Sequence, residues 1–236
     1  MDLNSLIVYD VNLKKVRLGR DFDGGYVICQ IGQTPESNPY DCFISGGIGG
    51  DISFEEGFLK MFSRMKCHAF DGTINPLFGK RIIFTKKNIS SRENLYETNL
   101  HDLINRHKDL FIKFDIEGGE YDWLDSVSDN QLKKIKQLVI ELHGFSQQPQ
   151  QSNALSRLAK IYWLAHLHGN NFGGVRKINN VIIPNTIECT YIRKSEINQV
   201  KLNKYIIPTK FDRSNAPELP DIELKGYPYH QNIKLL

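Results

Sequence analysis

The chain has 236 residues, a formal net charge of +3, 40% hydrophobic and 24% charged residues, which suits one globular α/β domain with a sizeable core. The mild basicity is scattered among acids, so it leaves no nucleic-acid footprint, and no apolar run approaches the ~20 residues of a bilayer span. Met1–Asp10 reads as lacking the basic flank and apolar stretch of a signal peptide. Cys29, Cys42, Cys67 and Cys189 form no close pair and have apolar neighbours. Zinc ligands would cluster and a disulfide framework would be denser. These cysteines therefore read as buried thiols in a reducing compartment, the cytoplasm.

In chain order, Lys15–Ile31 reads as two extended stretches around Asp23-Gly24-Gly25, a turn signal. Gln33–Asp41, with Pro35 and Pro39, reads as a loop. The core opens with a strand at Cys42–Ile44, a glycine turn, and a helix carrying Phe54, Phe58, Met61 and Phe62 at helical spacing. Cys67–Asp71 and Arg81–Phe84 read as the second and third strands, and Leu100, Leu103 and Ile104 mark a helix. Phe111–Ile116 is the fourth strand and Leu138–Leu142 the fifth. Leu155, Leu158, Ala159, Tyr162, Ala165 and His166 fall on one face of a later helix, and Val181–Ile183 with Ile187–Arg193 suggests a hairpin across Pro184-Asn185. Alternating strands and helices predict an α/β fold with a mostly parallel sheet and an antiparallel edge. After Lys201, Pro208, Pro217, Pro220 and Pro228 mark a tail lying over the domain. The expected organisation is one domain over 1–236: an N-terminal lead-in (1–41), a core (42–195) and a tail packed on it (196–236).

Ser45-Gly46-Gly47-Ile48-Gly49-Gly50-Asp51 lies between a strand and a helix. Glycines there let the backbone approach a ligand where a Cβ would obstruct it. The next strand ends at Asp71, at the distance where an acid commonly holds ribose hydroxyls. Asp51 at the helix start would compete with a pyrophosphate for the helix N-terminus. It suits a ligand without phosphates that bears an amino group and a sulfonium, which favours S-adenosylmethionine over NAD. The plainer reading is a structural turn with an unrelated surface Asp.

The other concentrated signal is Lys113-Phe114-Asp115-Ile116-Glu117-Gly118-Gly119-Glu120, at the strand end where ligands bind in such sheets. Period two puts Lys113 on the face of Asp115, where the two could pair. Glu141 and His143 share a face at the end of the fifth strand, and an acid inside an apolar strand asks for a partner. Asp115, Glu141 and His143 could therefore converge at one rim. Three readings stay open. Asp115 or His143 is a general base for an acceptor hydroxyl; Asp115, Glu141 and His143 hold a hard divalent ion, magnesium or manganese; or the group is structural. His101, His107, His166 and His168 read as surface or satisfied core residues.

Asp23-Gly24-Gly25-Tyr26, Ser45–Phe54, Phe111–Glu120 and Val139–His143 together resemble the FkbM-like branch of class I S-adenosylmethionine-dependent methyltransferases, over roughly residues 15–195. The resemblance implies a Rossmann-like seven-stranded sheet with a reversed last hairpin and helices on both faces. It also implies methyl transfer to oxygen, often on sugars or sugar-containing products. It puts Gly46, Gly47 and Gly49 at the amino-acid end of the cofactor, Asp71 at its ribose and Asp115 near the methyl group. The full expected cofactor-contacting set is Ser45, Gly46, Gly47, Gly49, Asp51, Phe54, Asp71, Gly72, Asp115 and Tyr26, and Arg17, Asp23 and Tyr26 either close over cofactor or acceptor or belong to a hairpin turn that caps the sheet. The expected function is O-methylation of a sugar, nucleotide-sugar or polysaccharide precursor. The rivals are methylation of a non-sugar small molecule, a non-catalytic cofactor-binding module and a metal-dependent hydrolase. The acceptor and the oligomeric state are not encoded in these motifs.

Overall fold

The computed structural model describes residues 2–32, 38–75, 79–144 and 149–230. Strands β1 (Lys15–Leu18) and β2 (Tyr26–Cys29) pair antiparallel from Lys15–Cys29 to Leu18–Tyr26, the two extended stretches expected around Asp23-Gly24-Gly25. The core elements follow: β3 (Cys42–Gly46), α1 (Ser53–Met61), β4 (Cys67–Phe70), β5 (Ile82–Thr85), α2 (His101–Asn105), β6 (Leu110–Phe114) and α3 (Glu120–Ser126). After them come β7 (Ile135–Leu142), α4 (Pro149–Ile161), β8 (Tyr162–Gly169), β9 (Val175–Ile178), β10 (Val181–Pro184) and β11 (Ile187–Arg193). Part of the expected Gln33–Asp41 loop lies outside the described residues.

Seven strands form one sheet in the order β8-β11-β7-β6-β3-β4-β5. The β5–β4, β4–β3, β3–β6 and β6–β7 pairings are parallel, and β11 runs antiparallel to both β7 and β8. This is the expected Rossmann-like sheet with its reversed C-terminal hairpin. Alternate strand residues feed two cores, as the period-two pleat requires. Phe43, Phe111 and Val139 pack with Phe54 and Phe58 of α1 on one face. Ile44, Ile112, Phe114 and Ile140 pack with Trp123 of α3 and Leu155 and Leu158 of α4 on the other. Parallel strands covered on both faces read as continuous apolar runs, which is why β3 and β6 are buried at every position.

Two expectations need correction. The later helix ends at Ile161, so Tyr162, Ala165 and His166 sit on strand β8 rather than on a helix face. A continuous apolar run satisfies helical spacing and a doubly buried strand equally, and seven of the eight β8 residues are buried. The hairpin across Pro184-Asn185 also does not form. β10 pairs instead with β9 through Asn179-Asn180, both at positive φ, while β11 inserts between β7 and β8. An Asn-Asn pair in left-handed conformation is itself a hairpin-turn signal.

The tail is part of the fold. Lys201–Leu202 pairs with Tyr9–Asp10, and Ile207, Leu224 and Tyr229 join the α3–α4 core. All four cysteines are buried and unpaired. No helix among the described residues is long and apolar enough to cross a membrane.

Candidate functional site

The turn between β3 and α1 sits at the C-terminal edge of the sheet, beside the residues that follow β6. Gly47 has φ +66°, and a Cβ there would lie 1.5 Å from the Asp115 carbonyl oxygen, so no other residue fits. At Gly49 and Gly50 a Cβ would meet nothing within 4 Å, because both border an open cleft of about 440 Å³. Asp51, Phe54, Asp71 and Lys113 line the same cleft.

Each lining side chain is held by local chemistry. Asp71 Oδ2 accepts from the Gly49 amide at 3.0 Å, and its Oδ1 accepts from the Thr73 amide at 2.7 Å and hydroxyl at 2.6 Å. Burial pushes the Asp71 carboxyl up, but the Thr73 hydroxyl and the amides of Thr73, Gly49 and Ile74 outweigh it and hold it below the usual range. Asp51 accepts from the Ser53 amide at 3.0 Å and hydroxyl at 2.9 Å and faces Arg20 Nε at 3.4 Å. Ser45, Gly46 and Gly72 support the cleft from behind. Buried Ser45 donates to Glu55 at 2.5 Å, Gly46 packs against Ile89 and Phe114, and the Gly72 amide donates to Asn88 at 2.9 Å.

Lys113 does not pair with Asp115. Its Nζ donates to the Gly47 carbonyl at 3.2 Å and lies 4.9 Å from the Tyr26 ring centroid. Strand β6 ends at Phe114 and the chain turns sharply after it, with Glu117 at φ +53° and Gly118 at φ +98°. The period-two rule therefore stops one residue short of Asp115.

Asp115, Glu141 and His143 converge as expected, and Tyr26 and Glu120 join them. Tyr26 Oη is 2.8 Å from Asp115 Oδ2 and 2.9 Å from Glu141 Oε2. Asn170 donates to Glu141 Oε1 at 2.8 Å. Burial, then the nearby Glu188 and Asp115 charges, push the Glu141 carboxyl up to about 8. Tyr26, on β2 and buried, thus bridges the two carboxyl groups through its hydroxyl.

His143 Nδ1 lies 2.9 Å from Glu120 Oε1, which also accepts from the amides of Ile116 and Gly118. Its Nε2 sits 3.6 Å from Glu117 Oε2, 3.7 Å from Asp115 Oδ1 and 3.8 Å from Glu141 Oε1, beyond hydrogen-bond reach of each. Burial pushes the imidazole down, but the Glu120 bond and the Glu120, Glu141 and Asp115 charges outweigh it and lift it to about 9. Asp115 Oδ1 is buried without a hydrogen-bond partner. Ligand atoms of Asp115, Glu117 and His143 lie within 4.8 Å of one another. Glu117 thus stands where the sequence suggested Glu141 as a metal donor, and Glu141 is engaged by Tyr26 and Asn170.

A second cavity of about 610 Å³ opens on the far side of Asp115, and Asp23, Asp115 and Glu117 border both spaces. Its remaining wall includes Asn170, Phe172, Thr186 and the tail residues Asn215–Glu218. None of these carries a local sequence signal, because they meet only when β8, β11 and the tail are assembled. His166 and His168 are satisfied core residues: His166 Nε2 is 2.7 Å from Asp212, and His168 lies between Glu188 and Asp221 at 3.1 Å from each.

No curated protein matches the chain. A family model described as the Methyltransferase FkbM domain matches residues 72–178, a segment that begins one residue after Asp71 and contains Asp115, Glu117, Glu120, Glu141 and His143. The match covers a little under half of the chain and supports an FkbM-like methyltransferase.

Proposed function

We propose that the protein is an S-adenosylmethionine-dependent O-methyltransferase acting on a hydroxyl of a sugar or sugar-bearing precursor. The observation that carries this reading is that two cavities meet at Asp115, one beside the glycine turn and one walled by the tail. A transfer enzyme needs a donor and an acceptor on opposite sides of one point. The glycine-side cleft suits the zwitterionic donor. Gly49 and Gly50 leave room that a Cβ would fill, Asp71 is set for ribose hydroxyls, and Arg20 and Lys113 suit a carboxylate. Asp51, Asp115 and Glu117 suit an amine and a sulfonium.

S-adenosylmethionine, when bound, supplies a methyl group already activated by its sulfonium. The protein's own task is alignment and uptake of the acceptor proton. Alignment can contribute up to ~7–11 kcal/mol. Asp115 Oδ1, buried and unpartnered, is the acceptor for the hydroxyl proton. Tyr26 holds the other oxygen of Asp115 in place. With its imidazole lifted to about 9, His143 stands protonated at neutral pH and offsets the surrounding acids rather than serving as the base.

The donor set Asp115, Glu117 and His143 fits a divalent ion, because Asp115 Oδ1 and His143 Nε2 both lack a close partner there. The imidazole donor favours manganese over magnesium. Such an ion would require His143 to release its proton, so its uptake would be weaker at low pH. Four unpaired buried thiols fit a reducing compartment such as the cytoplasm.

Calorimetric titration tests the cofactor: S-adenosylmethionine binds saturably and NAD does not. Asp115→Asn and His143→Ala lower turnover by at least ~10²-fold and leave cofactor affinity within a few-fold. Normal turnover by both variants would overturn the assignment of this site.

A further inference from the structure

The cavity on the far side of Asp115 narrows the class of acceptor. Its acidic side chains are Asp23, Asp115, Glu117, Glu141 and Glu218, its one basic side chain is His143, and no Lys or Arg lines it among the described residues. A phosphate or carboxylate entering it meets like charge from Asp23, Asp115, Glu117 and Glu218. A divalent ion on Asp115, Glu117 and His143 would offset those two carboxylates and leave Asp23 and Glu218 as the ionised acids of the wall.

Two further observations describe what the cavity does accept. Asn215 is 8% exposed, and its Nδ2 donates to Glu188 Oε1 at 2.7 Å. That bond fixes the amide orientation and leaves Oδ1 buried with no partner, an acceptor waiting for an O–H or N–H. Phe172 is 79% exposed at the rim. It sits in a short 3-10 turn, Asn171–Gly173, and its amide donates to Asn170 Oδ1 at 2.9 Å, so the backbone that carries this exposed ring is fixed. An exposed ring above a cavity of acidic and amide oxygens presents an apolar face and many hydrogen-bond acceptors together.

We infer that the cavity binds an uncharged polyhydroxylated ring, a neutral sugar unit, with one face on Phe172 and a hydroxyl donating to Asn215 Oδ1. Ring-borne phosphate or carboxylate is excluded from it. If the acceptor is carried on a phosphate, that group lies outside the cavity. This inference rests on the reading of the glycine-side cleft as the methyl-donor site.

The test uses the full-length chain with S-adenosylmethionine and manganese chloride. The acceptors are methyl glycosides of glucose, galactose, mannose and rhamnose, compared with the matched methyl glucuronide and galacturonide and with the 6-phosphates of the first three. Methylated product is followed by mass spectrometry. At least one neutral glycoside is methylated, with kcat/KM at least tenfold above its acidic counterpart. Phe172→Ala raises acceptor KM at least tenfold with kcat changed less than threefold. Glu218→Lys, at an exposed tail position, narrows the neutral-over-acidic preference at least threefold. Equal or better turnover of the uronides or phosphates overturns the inference. So does methylation of no neutral glycoside by protein that binds S-adenosylmethionine, an outcome that leaves the donor-site reading standing. Failure to bind S-adenosylmethionine at all overturns that reading instead.

Discussion

At Gly47 the backbone of one motif touches that of the other, so the glycine turn and the acidic segment are sterically one structure. A methyl group at Gly47 would run into the Asp115 carbonyl and would also strain a positive-φ residue. Gly47→Ala is expected to cost at least ~2 kcal/mol in urea unfolding and to abolish S-adenosylmethionine binding, and a stable, binding variant would refute the contact. The Tyr26 hydroxyl has one proton but touches two carboxyl groups. Glu141, lifted to about 8, is the neutral one. It donates to the Tyr26 oxygen, and Tyr26 donates to Asp115. The sign of the pH dependence follows. The unfolded chain loses the Glu141 proton near 4.5 and the folded chain near 8, so stability falls as pH rises through that window. Glu141→Gln cannot titrate. Its loss of stability between pH 5 and 8.5, read from urea midpoints, should be smaller than wild type by at least ~1.4 kcal/mol. An unchanged loss would refute the buried proton. The residues of this network were visible in the sequence, but the role of Tyr26 as the link was not, because 89 residues separate it from Asp115.

Strands β8 and β11 anchor the tail that walls the cavity bordering Asp115. Asn171 Nδ2 reaches the Ser214 hydroxyl at 2.7 Å and the Ala216 carbonyl at 2.9 Å, while its Oδ1 accepts from the Ala216 amide at 2.9 Å. His168 bridges Glu188 on β11 and Asp221 in the tail. Burial pushes this imidazole down, but the Asp221 and Glu188 bonds and the Glu188 charge outweigh it and lift it to about 10. A histidine raised in the folded state stabilises fully below its ordinary 6.5, and that contribution is lost as pH rises through about 10. His168→Gln should therefore cost about 3–5 kcal/mol at pH 6 and remove that part of the alkaline slope. Thermal melts from pH 6 to 10 would show it, and parallel curves for variant and wild type would overturn it. The same elements escaped the sequence reading. The β8 run fits helical spacing because burial on both faces removes the strand alternation that would identify it. Likewise β11 does not pair with the strand before it, because its partners lie far along the chain.

At the scale of the whole molecule, we read 1–236 as one cooperative unit with the tail inside it. Ile207, Leu224 and Tyr229 are each at most 2% exposed in the α3–α4 core. Burying three such side chains contributes roughly 5–9 kcal/mol, comparable to a whole domain's net stability. Deleting 201–236 should thus give an unfolded or aggregated chain. A truncated protein with native circular dichroism and a cooperative melt would show instead that the tail merely overlies the core. The sequence by itself determined the α/β class, the parallel core strands β3 to β7, the glycine turn with Asp71, and the acids and histidine that gather at Asp115. These follow from local periodicity and from residue types that glycine geometry and strand-end chemistry demand. Only the tertiary structure decided the insertion of β11 between β7 and β8, the placing of Glu117 beside Asp115 and His143, and the wall of Asn170, Phe172 and Asn215–Glu218 around the cavity that borders Asp115. Those choices depend on which distant segments bury one another's surfaces, and no spacing within a single segment carries that information.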